Sequence, residues 1–246
     1  MKQGLWLPWK KGVRLVELLI FPSFCRVCSG LLAGLDERII CRPCWEKIPL
    51  PPAGYCLSCG RFLSGDDQPS YCFGCQQERK VFSVHRSCTR YEGMAKEIIW
   101  LFKYGKIKVL GKKLASLAID RLEGDGIFSG VEVIVPVPLH PKKERTRGFN
   151  QAAEIARSLG QRLKIRVAPR ALIKVRDNLA QASLEAESRR ENVRGVYDIR
   201  ERGKIEGKVV LLVDDVYTTG STIAECSRIL RKAGAKEIRA LTIAQA

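Results

Sequence analysis

Eight of the ten cysteines fall in four C-x-x-C pairs: Cys25 and Cys28, Cys41 and Cys44, Cys56 and Cys59, Cys72 and Cys75. The pattern C-x2-C-x12-C-x2-C occurs twice, displaced by 31 residues, and nothing else in the chain limits its fold so strongly. Two residues between thiolates permit a tight turn that aims both sulfurs at one ion, and a second pair completes a tetrahedron. The spacing predicts two tandem zinc ribbons over residues 25–80, holding two Zn2+ ions. Pairing within each half and a crossed arrangement, first with third and second with fourth, both satisfy it. Four thiolates leave no open coordination position, so the role is structural, and no thioredoxin-like strand and helix flank the pairs to suit redox chemistry. So short a segment has too few aliphatic side chains to fold on burial alone, and metal must supply much of its folding energy. Gly30, Gly34, Gly60 and Gly65 offer turn-friendly backbone nearby. Cys88 and Cys226 lie outside the pattern and read as small buried apolar residues.

The rest of the chain is a globular sequence: 46% of the 246 residues are hydrophobic, which excludes a disordered tail protein. The formal charge of +17 divides unevenly, with +3 in residues 1–24, 0 in 25–75 and +14 in 76–246. Two zinc ions on eight thiolates would make the middle segment acidic. A polyanion, either nucleic acid or a polyphosphorylated metabolite, then prefers the C-terminal part, although a merely solvated basic surface gives the same count. No run reaches the roughly 18 apolar residues needed to span a bilayer. Leu15 to Phe21 is broken by Glu17 and is followed by no small-residue cleavage site, so residues 1–24 read as a short amphipathic helix, with a membrane-surface anchor as the competing reading. Cytoplasm is the default compartment, where thiols stay reduced.

From residue 81 onward, apolar strands alternate with helical stretches. Helices are expected over Met94–Tyr104, Leu110–Leu122, Gln151–Leu163 and Ile223–Ala233, and strands over 131–139, 209–213 and the terminal LTIA, with a polar loop over 176–195. This alternation implies an α/β fold, a mostly parallel sheet flanked by helices. The chemistry concentrates in VDDVYTTGST, residues 213–222. Asp214 and Asp215 close an apolar strand. Thr218, Thr219, Gly220, Ser221 and Thr222 then form a hydroxyl-rich turn into a helix. Backbone N–H groups there can converge on a phosphate. Carboxylates repel phosphate but accept hydrogen bonds from two ribose hydroxyls, so the segment fits a ribose 5-phosphate at the carboxyl end of a parallel strand. A strand end followed by an ordinary helix cap is the competing reading.

These residues resemble the type I phosphoribosyltransferase fold, and the whole chain resembles the ComF family of natural competence and its gluconate-utilisation relatives. The likeness is carried by Phe21-Pro22 before the first cysteine pair, FKYG at 102–105, VPVPLH at 135–140, RGFNQ at 147–151, the set Gln181, Arg189 and Asn192, and DDVYTTGST. One departure is Asn178, where the family often has Thr. The resemblance implies an N-terminal helix (1–24), a double zinc ribbon (25–80) and a phosphoribosyltransferase-like domain (81–246). It implies phosphoribosyl pyrophosphate with Mg2+ as ligand. Asp214 and Asp215 would hold the ribose, and 218–222 the 5′-phosphate. Lys103 and Arg147 would hold the pyrophosphate near the basic run Lys142, Lys143 and Arg145, and Arg189 would lie in a loop that closes over the ligand. It further implies single-stranded DNA as a partner, served by Phe102, Tyr104 and Phe149 as stacking residues if they are not core, and a helicase-like partner for the acidic zinc module.

Overall fold

The computed structural model describes residues 22–32, 39–63, 70–176 and 195–246, so the expected helix over 1–24 lies almost wholly outside the described residues. After two five-residue helices in the cysteine segment, α1 (Arg42–Glu46) and α2 (Phe73–Gln77), come β1 (Val84–Arg90), α3 (Gly93–Tyr104), α4 (Leu110–Leu122), β2 (Val133–Pro136), α5 (Pro141–Arg147), α6 (Gln151–Leu163), β3 (Arg166–Val167), β4 (Leu172–Lys174), β5 (Tyr197–Ile199), β6 (Val209–Tyr217), α7 (Ser221–Lys232) and β7 (Glu237–Gln245). Five strands form one parallel sheet in the order β1-β7-β6-β2-β3, while β4 and β5 make a separate antiparallel pair.

Strand alternation gives each face of the sheet its own core. Leu211, Val213, Leu241 and Ile243 point to the face covered by α3, α4 and α6, where Phe102, Leu114 and Ile155 are buried. Val210, Leu212, Ile238 and Ala240 point to the opposite face, under Ile223 and Leu230 of α7 and Leu172 and Tyr197 of the β4–β5 pair. The cysteine segment contributes to both. Cys25, Cys41 and Cys44 join the first core with Leu32, Ile40 and Ile48. Cys56, Cys59 and Cys75 join the second with Phe82. The module therefore straddles β1, the edge strand. It covers the unpaired side, where the His85 N–H donates to the Ser58 carbonyl at 2.8 Å, and an edge so covered offers no template for pairing with another chain.

Buried polar side chains lock this seam. Arg86 donates to Asp125 at 2.7 Å and to the carbonyls of Leu57 and His85, with its guanidinium over the Tyr55 ring. Arg121 donates to the carbonyls of Ile48, Pro49 and Cys88 at 2.9, 2.5 and 3.0 Å. Burial keeps His85 neutral by lowering its pKa to about 4.

α4 and α6 match their expected bounds, and α3 starts one residue early. β2 is shorter than expected, and β6 runs on through Asp214 and Asp215 to Tyr217 because it stays paired with β7 to Gln245. The basic run 141–147 is a helix, with Pro141 in its first turn, the His140 ring accepting from the Lys142 N–H, and no buried residue. Phe102 and Phe149 are core residues with ring centroids 5.3 Å apart, so neither is available to stack on a base. Cys88 and Cys226 are fully buried, as expected.

Replacing Arg121 by Met removes three charge-assisted bonds to carbonyls; that of Pro49 keeps the Thr89 hydroxyl, while those of Ile48 and Cys88 lose their arginine donor. The variant is expected to lose about 2 kcal/mol of unfolding free energy in a urea titration; an unchanged midpoint would mean these bonds do not hold the module.

Candidate phosphate site and two four-cysteine centres

The acidic pair occupies the sixth and seventh of the nine residues of β6. Asp214 is opposite Thr242 of β7, and its Oδ1 accepts the Asp215 N–H at 2.8 Å. Asp215 is buried and forms an ion pair with Lys103, Nζ to Oδ1 at 2.9 Å, with both side chains largely covered. Burial opposes the Lys103 charge, but Asp215 and Asp214 outweigh it and hold the ammonium above the ordinary lysine pKa. Burial and the neighbouring Asp215 carboxylate push the Asp214 pKa up to about 7. The amphipathic α3 delivers Lys103 here because Phe102, beside it, is locked into the core.

The turn that follows is built for close approach. Gly220 has φ of 77°, and a Cβ there would overlap the Tyr217 hydroxyl, so only glycine fits. Thr219 and Ser221 hydroxyls lie 2.8 Å apart, and the Ser221 N–H points back to Thr219 Oγ1 at 3.4 Å. Gly220 caps α7 without a side-chain bond, so the positive end of the helix faces the same turn as the hydroxyls.

Arg147 packs on α3 and α6. Its guanidinium lies over the Tyr104 ring at 5.4 Å and donates to Gln151 Oε1 at 3.2 Å. The motif RGFNQ thereby gains local reasons: Phe149 fills core, Asn150 caps α6 and donates to the Val137 carbonyl, and Gln151 reaches the Phe102 carbonyl. Arg189, with Gln181 and Asn192, lies outside the described residues. Two residues not foreseen from the sequence flank the turn. Lys174 of β4 acts electrostatically on Asp214, and Tyr197 of β5 is buried beside α7, with burial raising its phenol above the ordinary tyrosine pKa. Strands of three residues leave no periodicity to read, so neither residue stood out.

The cysteines pair within each half: Cys25, Cys28, Cys41 and Cys44 form one group, and Cys56, Cys59, Cys72 and Cys75 the other, all sulfurs within 4.8 Å of one another in each. Sulfurs about 2.3 Å from a central zinc have tetrahedral edges of about 3.8 Å. The observed separations are 3.9 Å for Cys25–Cys44, 3.6 Å for Cys28–Cys41 and 3.7 Å for Cys59–Cys72, so the residues present fit such an ion. The repeat holds in detail. Cys41 and Cys72 N–H groups point at Cys25 and Cys56 sulfurs at 3.4 Å each. Burial would raise those two thiols, but backbone N–H groups outweigh it and bring both to about 6. The left-handed turn position is Ser29 in the first half and Gly60 in the second; Gly30 does not take that role.

Residues 144–246 match the phosphoribosyl transferase domain family, and the acidic pair and the hydroxyl-rich turn lie inside the matched span. Over most of its length the chain is similar to three curated proteins. Competence protein F of Haemophilus influenzae is 29% identical over 90% of this chain and 96% of its own. DNA utilization protein YhgH of Escherichia coli K12 is 26% identical over the same shares. Competence protein ComFC of Bacillus subtilis is 28% identical over 85% of this chain and 84% of its own. Among solved structures, glutamine phosphoribosylpyrophosphate amidotransferase from B. subtilis aligns at 24% identity over 56% of this chain, with a TM-score of 0.36; the match spans 26% of that longer chain. The chain is thus similar over most of its length to proteins of the ComF type. Among the described residues no helix is long and apolar enough to cross a membrane.

Two measurements check the site. Carbon-detected titration of the Asp214 carboxyl should give a midpoint near 7, against roughly 4 for an ordinary aspartate, moving higher in Lys103→Met, which loses the compensating cation. A raised carboxyl pKa favours the folded state while protonated, so this group's stabilising contribution fades as pH rises from about 4 to about 7; a midpoint near 4 in the wild type would contradict the burial argument. Metal analysis should return two ions per wild-type chain, one per group, and half that content in Cys41→Ser, whereas equal contents would mean the groups are not separate centres.

Proposed function

We propose that the phosphoribosyl transferase domain binds magnesium phosphoribosyl pyrophosphate at the end of β6. The observation that supports this is the division of labour within one turn. Acceptors (Asp214 and Asp215) lie on the strand side, and donors (N–H groups and hydroxyls of 218–222) lie on the helix side. A ribose phosphate presents the complementary set, two hydroxyls to donate and a phosphate to accept. Lys103, from its seat beside Asp215, and Arg147, over Tyr104, are assigned to the pyrophosphate. Bond breaking at the anomeric carbon passes through an oxocarbenium-like state, so positioning and charge neutralisation suffice and no protein nucleophile is needed. Transfer of the phosphoribosyl group to an acceptor is the enzymatic form of this reading. Both four-cysteine groups are read as structural zinc sites, since four thiolates in a tetrahedron suit that ion.

The curated relatives carry names of competence and DNA utilization. We extend that role in DNA uptake to this chain, with single-stranded DNA as a second ligand. The domain's excess of basic residues supports it, as does the exposed pair Trp100 and Tyr104, 5.7 Å apart beside Arg147. Oligonucleotide affinity is expected to fall steeply with salt, as phosphate neutralisation requires.

Titration calorimetry with magnesium phosphoribosyl pyrophosphate should show binding to the wild type and none to Asp215→Ala that has kept its metal content. Equal affinity in both would remove the reading.

A further inference from the structure

The second four-cysteine centre touches the phosphate turn through two aromatic rings. The His85 Nδ1 lies 2.8 Å from the Cys59 carbonyl, and its Nε2 lies 3.0 Å from Thr242 Oγ1. A carbonyl only accepts, so Nδ1 carries the proton and Nε2 accepts from the Thr242 hydroxyl. The ring has no rotational freedom left, and it is fully buried. On its face stacks Tyr217, centroids 4.1 Å apart and planes 22° apart. The Tyr217 hydroxyl in turn occupies the space that a Cβ at Gly220 would need. Gly60 completes the clamp from the cysteine side, because a Cβ there would collide with the His85 carbonyl.

Between the centre and the turn lies a cavity of about 330 Å³, bordered by Cys59, Cys72, Phe73, Lys80, Tyr217 and Thr219. Support for the turn on this side is therefore concentrated in one path: Cys59 carbonyl, His85, Tyr217, Gly220. Cys59 and Cys72 are also metal-site residues, so the position of the Cys59 carbonyl depends on the knuckle being closed.

We propose that His85 and Tyr217 are positioning residues through which the second four-cysteine centre holds the phosphate turn, so that an ion at Cys56, Cys59, Cys72 and Cys75 sets the order of residues 217–222 and their affinity for a ribose phosphate. The affinity half rests on the ribose-phosphate reading above; the ordering half does not. The full chain is examined by amide hydrogen exchange and by calorimetry with ribose 5-phosphate. In Cys72→Ser, with the second ion gone by metal analysis, amides of 217–222 should exchange about tenfold faster or more, while those of α6 stay at their wild-type rate. His85→Phe keeps a ring to stack but loses the bond to Cys59, and should show the same selective acceleration with both ions retained. Tyr217→Leu, which loses the stacked ring, should follow it, and Tyr217→Phe, which keeps the stack on His85 but loses the hydroxyl beside Gly220, should accelerate these amides less than Tyr217→Leu. Ribose 5-phosphate affinity should fall in step with exchange. Wild-type exchange at 217–222 in both Cys72→Ser and His85→Phe overturns the proposal, as does acceleration spread evenly over the chain. Selective acceleration with no ribose 5-phosphate binding even in the wild type would uphold the coupling and defeat the ligand reading instead.

Discussion

Two adjacent carboxylates near the end of a buried parallel strand are an electrostatic liability, and the site is arranged around that fact. Asp215 is balanced by Lys103 at 2.9 Å. Among the described residues Asp214 has no such partner at contact distance, and it answers burial by holding its proton more tightly. A pair of this kind repels anions and attracts donors. The turn that follows does the reverse, offering N–H groups, hydroxyls and a helix N-terminus to an anion. A ligand that satisfies both must be polar at one end and anionic at the other, as a phosphorylated sugar is. The fold supplies the juxtaposition because β6 remains paired with β7 as far as Tyr217 and Gly220 then turns the chain directly into α7.

The cysteine module is joined to this domain through the two sheet cores. It covers the free edge of β1, and it provides carbonyls for Arg86, Arg121, Thr89 and His85, whose polar groups would otherwise be buried without partners. Its own apolar residues are few, and they are divided between the domain's two cores. The module contributes little burial of its own and much satisfaction of polar groups, which is how a metal-stabilised segment with so few aliphatic residues can hold an edge strand in place.

How much of this could be read from the sequence depended on whether a residue's partner was local. The helices α4 and α6 were legible because their apolar spacing is internal to each element. The turn after β6 was legible as a strand-to-helix connection because strand, carboxylates, glycine and helix are consecutive. β1 was not: His85, Arg86, Ser87 and Thr89 look like surface residues until the module and Thr242 provide their bonds. α5 buries no residue and has no apolar stripe to betray it. Phe102 sits in the sequence next to Lys103 and Tyr104, yet it is wholly buried while Tyr104 is exposed, a division that follows from helical phase once the core face is known. The choice between sequential and crossed cysteine pairing also needed three dimensions, since both satisfy the same spacing.

A crystal structure of the chain with magnesium phosphoribosyl pyrophosphate tests the account most directly. It should place the two ribose hydroxyls on Asp214 and Asp215 and the 5′-phosphate within hydrogen-bond distance of the N–H groups of residues 218–222. The account would be contradicted by a ligand bound elsewhere, or by a turn at Gly220 that stays empty at saturating ligand.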